Sequence, residues 1–340
     1  MKFIKYNQAF FNYPSNLYSS DPKLTYIYWG NLLVDNLIGP TGSNAIDKSS
    51  KVSTLKSFNE AIERRALMAG GYSNERNEVE YYNLVTSEIG TISKKYTTYS
   101  IDKKFFSDTT GTASYYNSHD TIYKATNELL EKNCLFLFWY GLKGKKVILN
   151  FENKYLNMLM KEGYSVEIFE VDYLSPFITY ITIIHNDKDL VYSTGISGGL
   201  NKTNCLLASI EEAYLLMWKN DFERIANPYN DFTLKHHIEF IDYLRDFSMK
   251  EISIKQCPNS NSKNNINLLV ESLPSWIKEL NVVRLNTTVK EANKVVLVFS
   301  RDLFNHIPLK RAIDLEKPIN KETINLSEID LKRIPECMII

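Results

Sequence analysis

The chain carries no surplus of either charge: its 340 residues hold 40 basic and 40 acidic side chains. A general nucleic-acid binder needs a basic excess, so that class is excluded, with room left for a local basic patch. Four cysteines, Cys134, Cys205, Cys257 and Cys337, stand far apart with no CxxC spacing, which argues against a structural zinc site. Cys134 and Cys205 sit in apolar runs and read as core thiols, a pattern that suits a reducing cytosol. The N-terminal MKFIKYNQAFFNYPSN lacks the apolar core of a signal peptide, and the apolar run at 134–140 is too short to span a bilayer. The expectation is a soluble, cytoplasmic protein without a membrane partner. A glycine-rich phosphate loop is also missing. GLKGKK at 141–146 and GPTGSN at 39–44 lack the Walker spacing and its Ser/Thr, and no GxGxxG, HExxH, GxSxG or kinase signature occurs. A nucleotide site in this chain would have to be built from carboxylates and basic side chains.

What the chain does have is an apolar fraction of 44% and 22 tyrosines, the composition of a folded globular protein. Three helix-like stretches carry paired glutamates among apolar neighbours: Glu60 and Glu63 in 57–67, Glu128 and Glu131 in 125–139, Glu211 and Glu212 in 206–218. On a wheel of about 100° per residue, Glu128 falls between Leu135 and Trp139, and Glu131 beside Phe138. Glu212 falls between Ala208 and Leu216, and Glu211 between Trp218 and Leu215. Neither of these two helices has a wide charged face, and a helix that is apolar all round is a buried one. Buried carboxylates need a partner, and a shared hard cation such as Mg²⁺ bearing a nucleotide phosphate satisfies several at once. In the first stretch, Glu63, Arg64 and Arg65 also suit a wet face, and Ser57 with Glu60 has the spacing of a capping box that would start the helix at Ser57.

Strands and helices alternate along the rest of the chain, which predicts an α+β fold with α/β-like character. GPTGSN reads as a turn, YTTYSI at 96–101 as a strand, and DTTGTA at 108–113 as a turn before the second glutamate helix. VILNF at 147–151, a helix over 153–163 and VEIFEV at 166–171 form a β-α-β pattern that favours a right-handed parallel crossover. FITYITIIH at 177–185 and LVYSTGISGG at 190–199 read as a hairpin around Asn186–Asp189. A loop is expected over 257–267, a helix around Trp276, strands at 282–287 and 294–299, and an apolar tail at the end. The pair His236–His237 reads as structural.

SFNEAIER at 57–64 changes the weight of these readings. Ser57, Glu60, Glu63 and Arg64 reproduce the SxxExxER signature of the YcaO family, and other segments fall in that family's order. DTTGTA resembles the segment before the family's second helix. ELLEKNCLFLFW at 128–139 resembles ELIERDAxxxxW, with Lys132 and Asn133 in place of Arg and Asp. VDYLSPFITYITII at 171–184 resembles the family's strand pair, and TGISGG with the Glu211–Glu212 helix its third acidic segment. LKHHIEFID at 234–242 is similar to a segment of several peptide-modifying members.

The resemblance implies one YcaO-like domain over 1–340, with mixed sheets flanked by helices that carry paired glutamates. Its core would run over about 30–310 and its tail over 311–340. It implies ATP and Mg²⁺ as cofactors. Carried over by position, Glu60 and Glu63 would hold Mg²⁺, and Glu131 and Glu212 would complete the shell, with Glu128 and Glu211 as neighbouring alternatives. Ser57 and Arg64 would contact the nucleotide, and a late basic residue, Arg284 or Arg301, its phosphates. No catalytic residue is assigned. The implied activity is cyclodehydration of Cys, Ser or Thr into thiazoline or oxazoline rings in a ribosomally made precursor peptide. The partners it implies are an E1-like or leader-binding subunit, an azoline oxidase, and a homodimer within the complex. Thioamide or amidine formation, and an inactive scaffold, are the alternative readings. Two departures stand out: Leu215 where the family's third helix has Gln, and Pro335 alone where azoline-forming members often end in PxPxP.

Overall fold

A computed structural model describes residues 2–6, 23–28, 30, 32–34, 37–39, 42–47, 49–100, 107–186, 191–226, 234–245, 250–255, 265–287 and 293–339. In chain order these form β1 (Lys2–Tyr6), β2 (Lys23–Tyr28), β3 (Leu33–Val34), β4 (Leu37–Ile38), β5 (Gly42–Asp47), α1 (Ser50–Ala69), β6 (Glu78–Asn83), β7 (Ile89–Ser93), β8 (Thr112–Tyr115) and α2 (Ser118–Gly141). There follow β9 (Lys145–Leu149), α3 (Lys154–Lys161), β10 (Ser165–Val171), β11 (Ile178–His185), β12 (Val191–Gly199), α4 (Lys202–Ala226), α5 (Leu234–Arg245) and β13 (Lys250–Ile254). The chain closes with α6 (Ile266–Glu271), β14 (Asn281–Arg284), β15 (Lys294–Phe299) and α7 (Glu328–Arg333). The fold is α+β, as expected. It divides into two compact units, Met1–Asn133 with Asn264–Glu322, and Cys134–Lys263 with Thr323–Ile340.

The first unit holds an antiparallel sheet in the order β1-β2-β5 and a second in the order β7-β6-β14-β15-β8. Helix α1 packs on β5 and β2 of one and on β8 and β15 of the other. Ile62, Ala66 and Leu67, at helical spacing, meet Val79, Val283, Leu285, Val295, Leu297 and Phe299 in one core. Each such aliphatic side chain contributes about 1.5–3 kcal/mol by leaving water. The helix starts two turns earlier than the capping-box spacing suggests. Ser49 is the extended residue before it, and Ser57 lies inside the helix. Val52 and Leu55 continue the apolar spacing back to this start, but both are exposed and stand among polar residues, so the signal there is weak.

The second unit is built on one sheet in the order β12-β11-β10-β9-β13. β11 is buried along its whole length and pairs antiparallel with both β10 and β12, the latter as the expected hairpin. The parallel crossover expected between 147–151 and 166–171 does not occur, because β9 and β10 are antiparallel. Helix α3, capped by the Asn153 side chain, sits at the turn between them. It is β13, far along the chain, that lies parallel to β9. Helix α4 covers β12 and β11. The chain's tail is packed: Cys337 and Ile339 are buried, and Trp139 Nε1 donates to the Pro335 carbonyl at 2.9 Å. Cys134, Cys205 and Cys337 are buried and form no disulfide.

Other expectations change locally. Lys94–Thr97 is a 3-10 turn, and Ser100 makes only an isolated bridge to Ser107. Gly42–Asn44 belong to β5 rather than to a turn. The helix near Trp276 is α6, and Trp276 itself sits in the turn after Pro274. Most of the expected 257–267 loop lies outside the described residues. Among those residues no helix is long and apolar enough to cross a membrane.

Candidate active site

The signature residues of α1 are tied to β5, the strand just before it. Ser57 is fully buried. Its hydroxyl donates to the Ser43 carbonyl at 3.0 Å, while the Ser43 hydroxyl donates to the Ser57 carbonyl at 2.6 Å. One turn on, Glu60 accepts from the Asn44 backbone N–H at 3.1 Å and pairs with Arg64 at 2.6 Å. Arg64 also donates to the Gly42 carbonyl at 2.6 Å. This ladder fixes the helix against the strand and holds the Glu60 carboxylate in place with two charge-assisted bonds.

Glu63 points to the other neighbour of α1. Its Oε1 lies 2.7 Å from the Thr112 hydroxyl at the start of β8. Burial, opposed by that hydroxyl and reinforced by the charge of Glu60, pushes the Glu63 carboxyl up to about 8. Across from it on α2, Glu128 is also raised well above the ordinary carboxylate range, by burial first and then by the charge of Glu63. Lys132 opposes that shift, while Glu131 and Asp108 add to it. The structure therefore brings Glu60, Glu63, Glu128 and Glu131 into one electrostatic neighbourhood on two helices. Among the described residues no three His, Cys, Asp or Glu side chains are already arranged as a metal cage. The donor set still suits a hard cation. Glu63 and Glu128 are half-buried, and Glu128 is not enclosed as the wheel suggested. Each is penalised by partial desolvation and by the other's charge, and a divalent ion would relieve both penalties.

The segment 107–112 and the 300–312 stretch support this cluster. Gly111 has φ +78°, and a Cβ there would stand 2.2 Å from the Val298 carbonyl oxygen, so the TG turn into β8 requires glycine. Asp108 accepts from Thr110 and Ile307 backbone N–H groups, each at 2.8 Å. Asn133 is fully buried on α2. Its amide donates to the Phe304 carbonyl at 2.9 Å and accepts from the Phe304 N–H at the same distance.

The remaining sequence candidates belong to other elements. Glu211 and Glu212 are in the second unit, where the Ile196 backbone N–H donates to Glu212 at 2.7 Å. Gly195 makes that bond possible, since a Cβ on it would stand 2.2 Å from the Ser209 carbonyl oxygen of α4. Arg284 lies over the Tyr72 ring at 5.2 Å, and Arg301 pairs with Glu279 at 3.2 Å. His237 is buried, and the His236 side chain lies outside the described residues.

No family model and no curated protein sequence matches the chain. Solved structures do. The structure of YcaO from Methanopyrus kandleri bound with AMPPCP and Mg²⁺ aligns with a TM-score of 0.68 at 11% identity, over 96% of this chain and 90% of that one. The E. coli microcin synthetase McbBCD complex aligns with a TM-score of 0.70 at 14% identity, over 98% of this chain and 95% of that one. The same complex with pro-MccB17 bound gives 0.68 at 14%, over 96% of each chain. The fold is that of the YcaO proteins.

Within this YcaO fold the differences at Asn133 on α2 and Leu215 on α4 acquire physical reasons. Asn133 both donates to and accepts from Phe304, and an ionised aspartate has no donor for the first of these bonds. Leu215 is buried among the apolar residues of α4. Sequence reading missed Thr112, Asp108 and Lys124 as neighbours of the glutamates. The first two lie in DTTGTA, whose resemblance was the only signal for them.

Proposed function

We propose that this chain activates backbone amides of a ribosomally made precursor peptide with ATP and Mg²⁺, as the cyclodehydratase subunit of an azoline-forming complex. The observation that carries the reading is the half-buried, mutually repelling pair Glu63 and Glu128 on α1 and α2, set in a YcaO fold. One neighbour in that fold is bound with AMPPCP and Mg²⁺, and another is a microcin synthetase complex with pro-MccB17 bound.

In this reading Glu60, Glu63, Glu128 and Glu131 hold Mg²⁺, and Glu211 and Glu212 serve as further acidic ligands. Mg²⁺–ATP, when bound, supplies the phosphoryl group that turns an amide oxygen into a leaving group. The chain's own part is positioning. Arg64 orients Glu60, Thr112 orients Glu63, and Ser57 braces α1 against β5; Ser57 and Arg64 are also the residues of α1 that would contact the nucleotide. A Cys, Ser or Thr side chain of the peptide is the nucleophile. Arg284 or Arg301 would meet phosphate, and a separate leader-binding subunit, with an azoline oxidase downstream, would deliver and finish the peptide.

The test combines the chain, a Cys/Ser/Thr-rich precursor and the candidate partner subunit. ATP-dependent loss of one water per ring, abolished by Glu63→Gln and by Glu128→Gln, is the expected result. Exchange of oxygen for sulfur would move the reading to thioamide formation. No Mg²⁺–ATP binding, with complex activity unchanged by Glu60→Ala and Glu63→Ala, would leave the chain a scaffold.

A further inference from the structure

The two glutamate helices of the first unit are copies of one design. Lys56-Ser-Phe-Asn-Glu60-Ala-Ile-Glu63 and Lys124-Ala-Thr-Asn-Glu128-Leu-Leu-Glu131 share K-x-x-N-E-x-x-E. The match extends to position in the fold. α1 begins at Ser50, just after β5 ends at Asp47, and α2 begins at Ser118, at the same distance after β8 ends at Tyr115. Lys56 is the seventh residue of α1 and Lys124 the seventh of α2. Each lysine stands one turn before the first glutamate on the same face, about 5–6 Å along the axis.

Each lysine is also held by the last residue of its own strand. Lys56 Nζ pairs with Asp47 at 2.8 Å and donates to the Ile46 carbonyl at 3.3 Å. Lys124 Nζ sits 4.5 Å from the centre of the Tyr115 ring. A ring fixes a cation without cancelling its charge, whereas Asp47, in a solvent-exposed ion pair, offsets part of the charge of Lys56. The two ammonium groups feel each other. Desolvation of this otherwise exposed side chain first, then the charge of Lys56, lowers Lys124 below the ordinary lysine range, against the opposing pull of Glu63 and Asp120. Two like charges positioned beside half-buried carboxylates are a poor arrangement for an empty surface and a good one for a multiply charged anion next to a cation.

We propose that Lys56 and Lys124 form a matched pair that grips the terminal phosphate oxygens of the bound nucleotide, with Lys124 the stronger contact. The inference rests on the Mg²⁺–ATP reading above and adds two residues that no signature marks. The third glutamate helix has no counterpart, because Ala208 precedes Glu212 by one turn.

Calorimetry on the intact chain separates this from the reading it rests on. Mg²⁺–ATP and Mg²⁺–pyrophosphate are titrated into the wild type, Lys124→Gln, Lys56→Gln and Lys124→Arg, with Mn²⁺ alone as a control. The expected result is a loss of about ten- to hundredfold in affinity for both anions in Lys124→Gln, a smaller loss in Lys56→Gln, and retention in Lys124→Arg. Mn²⁺ affinity should be unchanged or tighter, since a nearby positive charge has gone. Wild type and Lys124→Gln binding both anions equally would overturn the pair. If the wild type binds no Mg²⁺–ATP, the nucleotide reading fails by itself. Pyrophosphate then decides the pair: Lys124-dependent binding supports an anion site, and its absence ends it.

Discussion

The Thr112 hydroxyl lies 2.7 Å from the Glu63 carboxylate and 2.5 Å from the Thr109 carbonyl oxygen, and it has one proton to give. That proton is shared between the two acceptors, and the share given to Glu63 favours its ionised form, against the burial that pushes this carboxyl up to about 8.

A pH dependence with a definite sign follows. The folded state keeps the Glu63 proton up to about pH 8, while an unfolded chain loses it near the ordinary value of 4.5. Without metal, stability should therefore fall as pH rises from about 4.5 through 8 and level off above. A divalent cation binds the ionised form, so its affinity should climb over the upper part of that range, by up to about tenfold per pH unit for each proton released. Glu128, raised in the same direction, strengthens the trend. Mn²⁺ titration from pH 6 to 9 checks this, and Glu63→Gln should weaken binding and flatten the slope. A wild-type affinity that does not change with pH would contradict it.

Asn133 offers a second test, because sequence alone marks it only as a departure. Its amide makes a two-way clamp on the Phe304 backbone in a fully buried place. Asn133→Asp keeps the shape but sets a carboxylate against the Phe304 carbonyl and loses a donor. The cost should be at least about 2–3 kcal/mol in chemical denaturation. Asn133→Ala, which orphans both Phe304 groups, should cost a similar amount, and near-neutral values for both would show that the clamp carries no weight.

How far the sequence could be read depended on whether the deciding contacts were local. Apolar spacing placed α1, α2 and α4, and the carboxylates among their apolar residues were visible on a wheel. Which carboxylates meet was not visible, since Glu63 finds Thr112 and Glu128 only after β8 and α2 fold back on α1. The start of α1 was missed because Ser57 with Glu60 has capping-box spacing, while Val52 and Leu55, the only apolar residues before it in the helix, are exposed. The β9–β10 pairing was misread because a strand, a short helix and a strand have the same pattern for either direction. The parallel partner of β9 comes from β13, beyond any local window.

Leu215 tests the apparent gap in the third acidic helix. The side chain is 8% exposed and belongs to the apolar face of α4. Leu215→Gln would restore the family's polar residue but bury an amide in apolar surroundings. The expected outcome is a loss of about 1–3 kcal/mol of stability with no gain in Mg²⁺–ATP affinity, read by thermal melts and calorimetry on the same samples. Tighter nucleotide binding in this variant would mean that Leu215 marks a missing ligand.

Gly195 gives the sharpest prediction in the second unit. A Cβ there would stand 2.2 Å from the Ser209 carbonyl oxygen and 2.4 Å from the Ala213 nitrogen, both backbone atoms of α4 that cannot rotate away. Gly195→Ala must push α4 off β12, which lengthens the 2.7 Å bond from the Ile196 N–H to Glu212 and the 2.6 Å bond from the Ser193 hydroxyl to the Ala213 carbonyl. Overpacking of this kind costs roughly 1–3 kcal/mol or more. Glu212→Gln keeps the bond to Ile196 and removes only the charge, so it should leave stability within about 1 kcal/mol of the wild type. If Glu212 serves the metal, Glu212→Gln weakens Mn²⁺ binding while Gly195→Ala first lowers the melting temperature. If Glu212 only braces α4, neither its neutral variant nor the wild type will differ in Mn²⁺ affinity, and the acidic ligands reduce to those of α1 and α2.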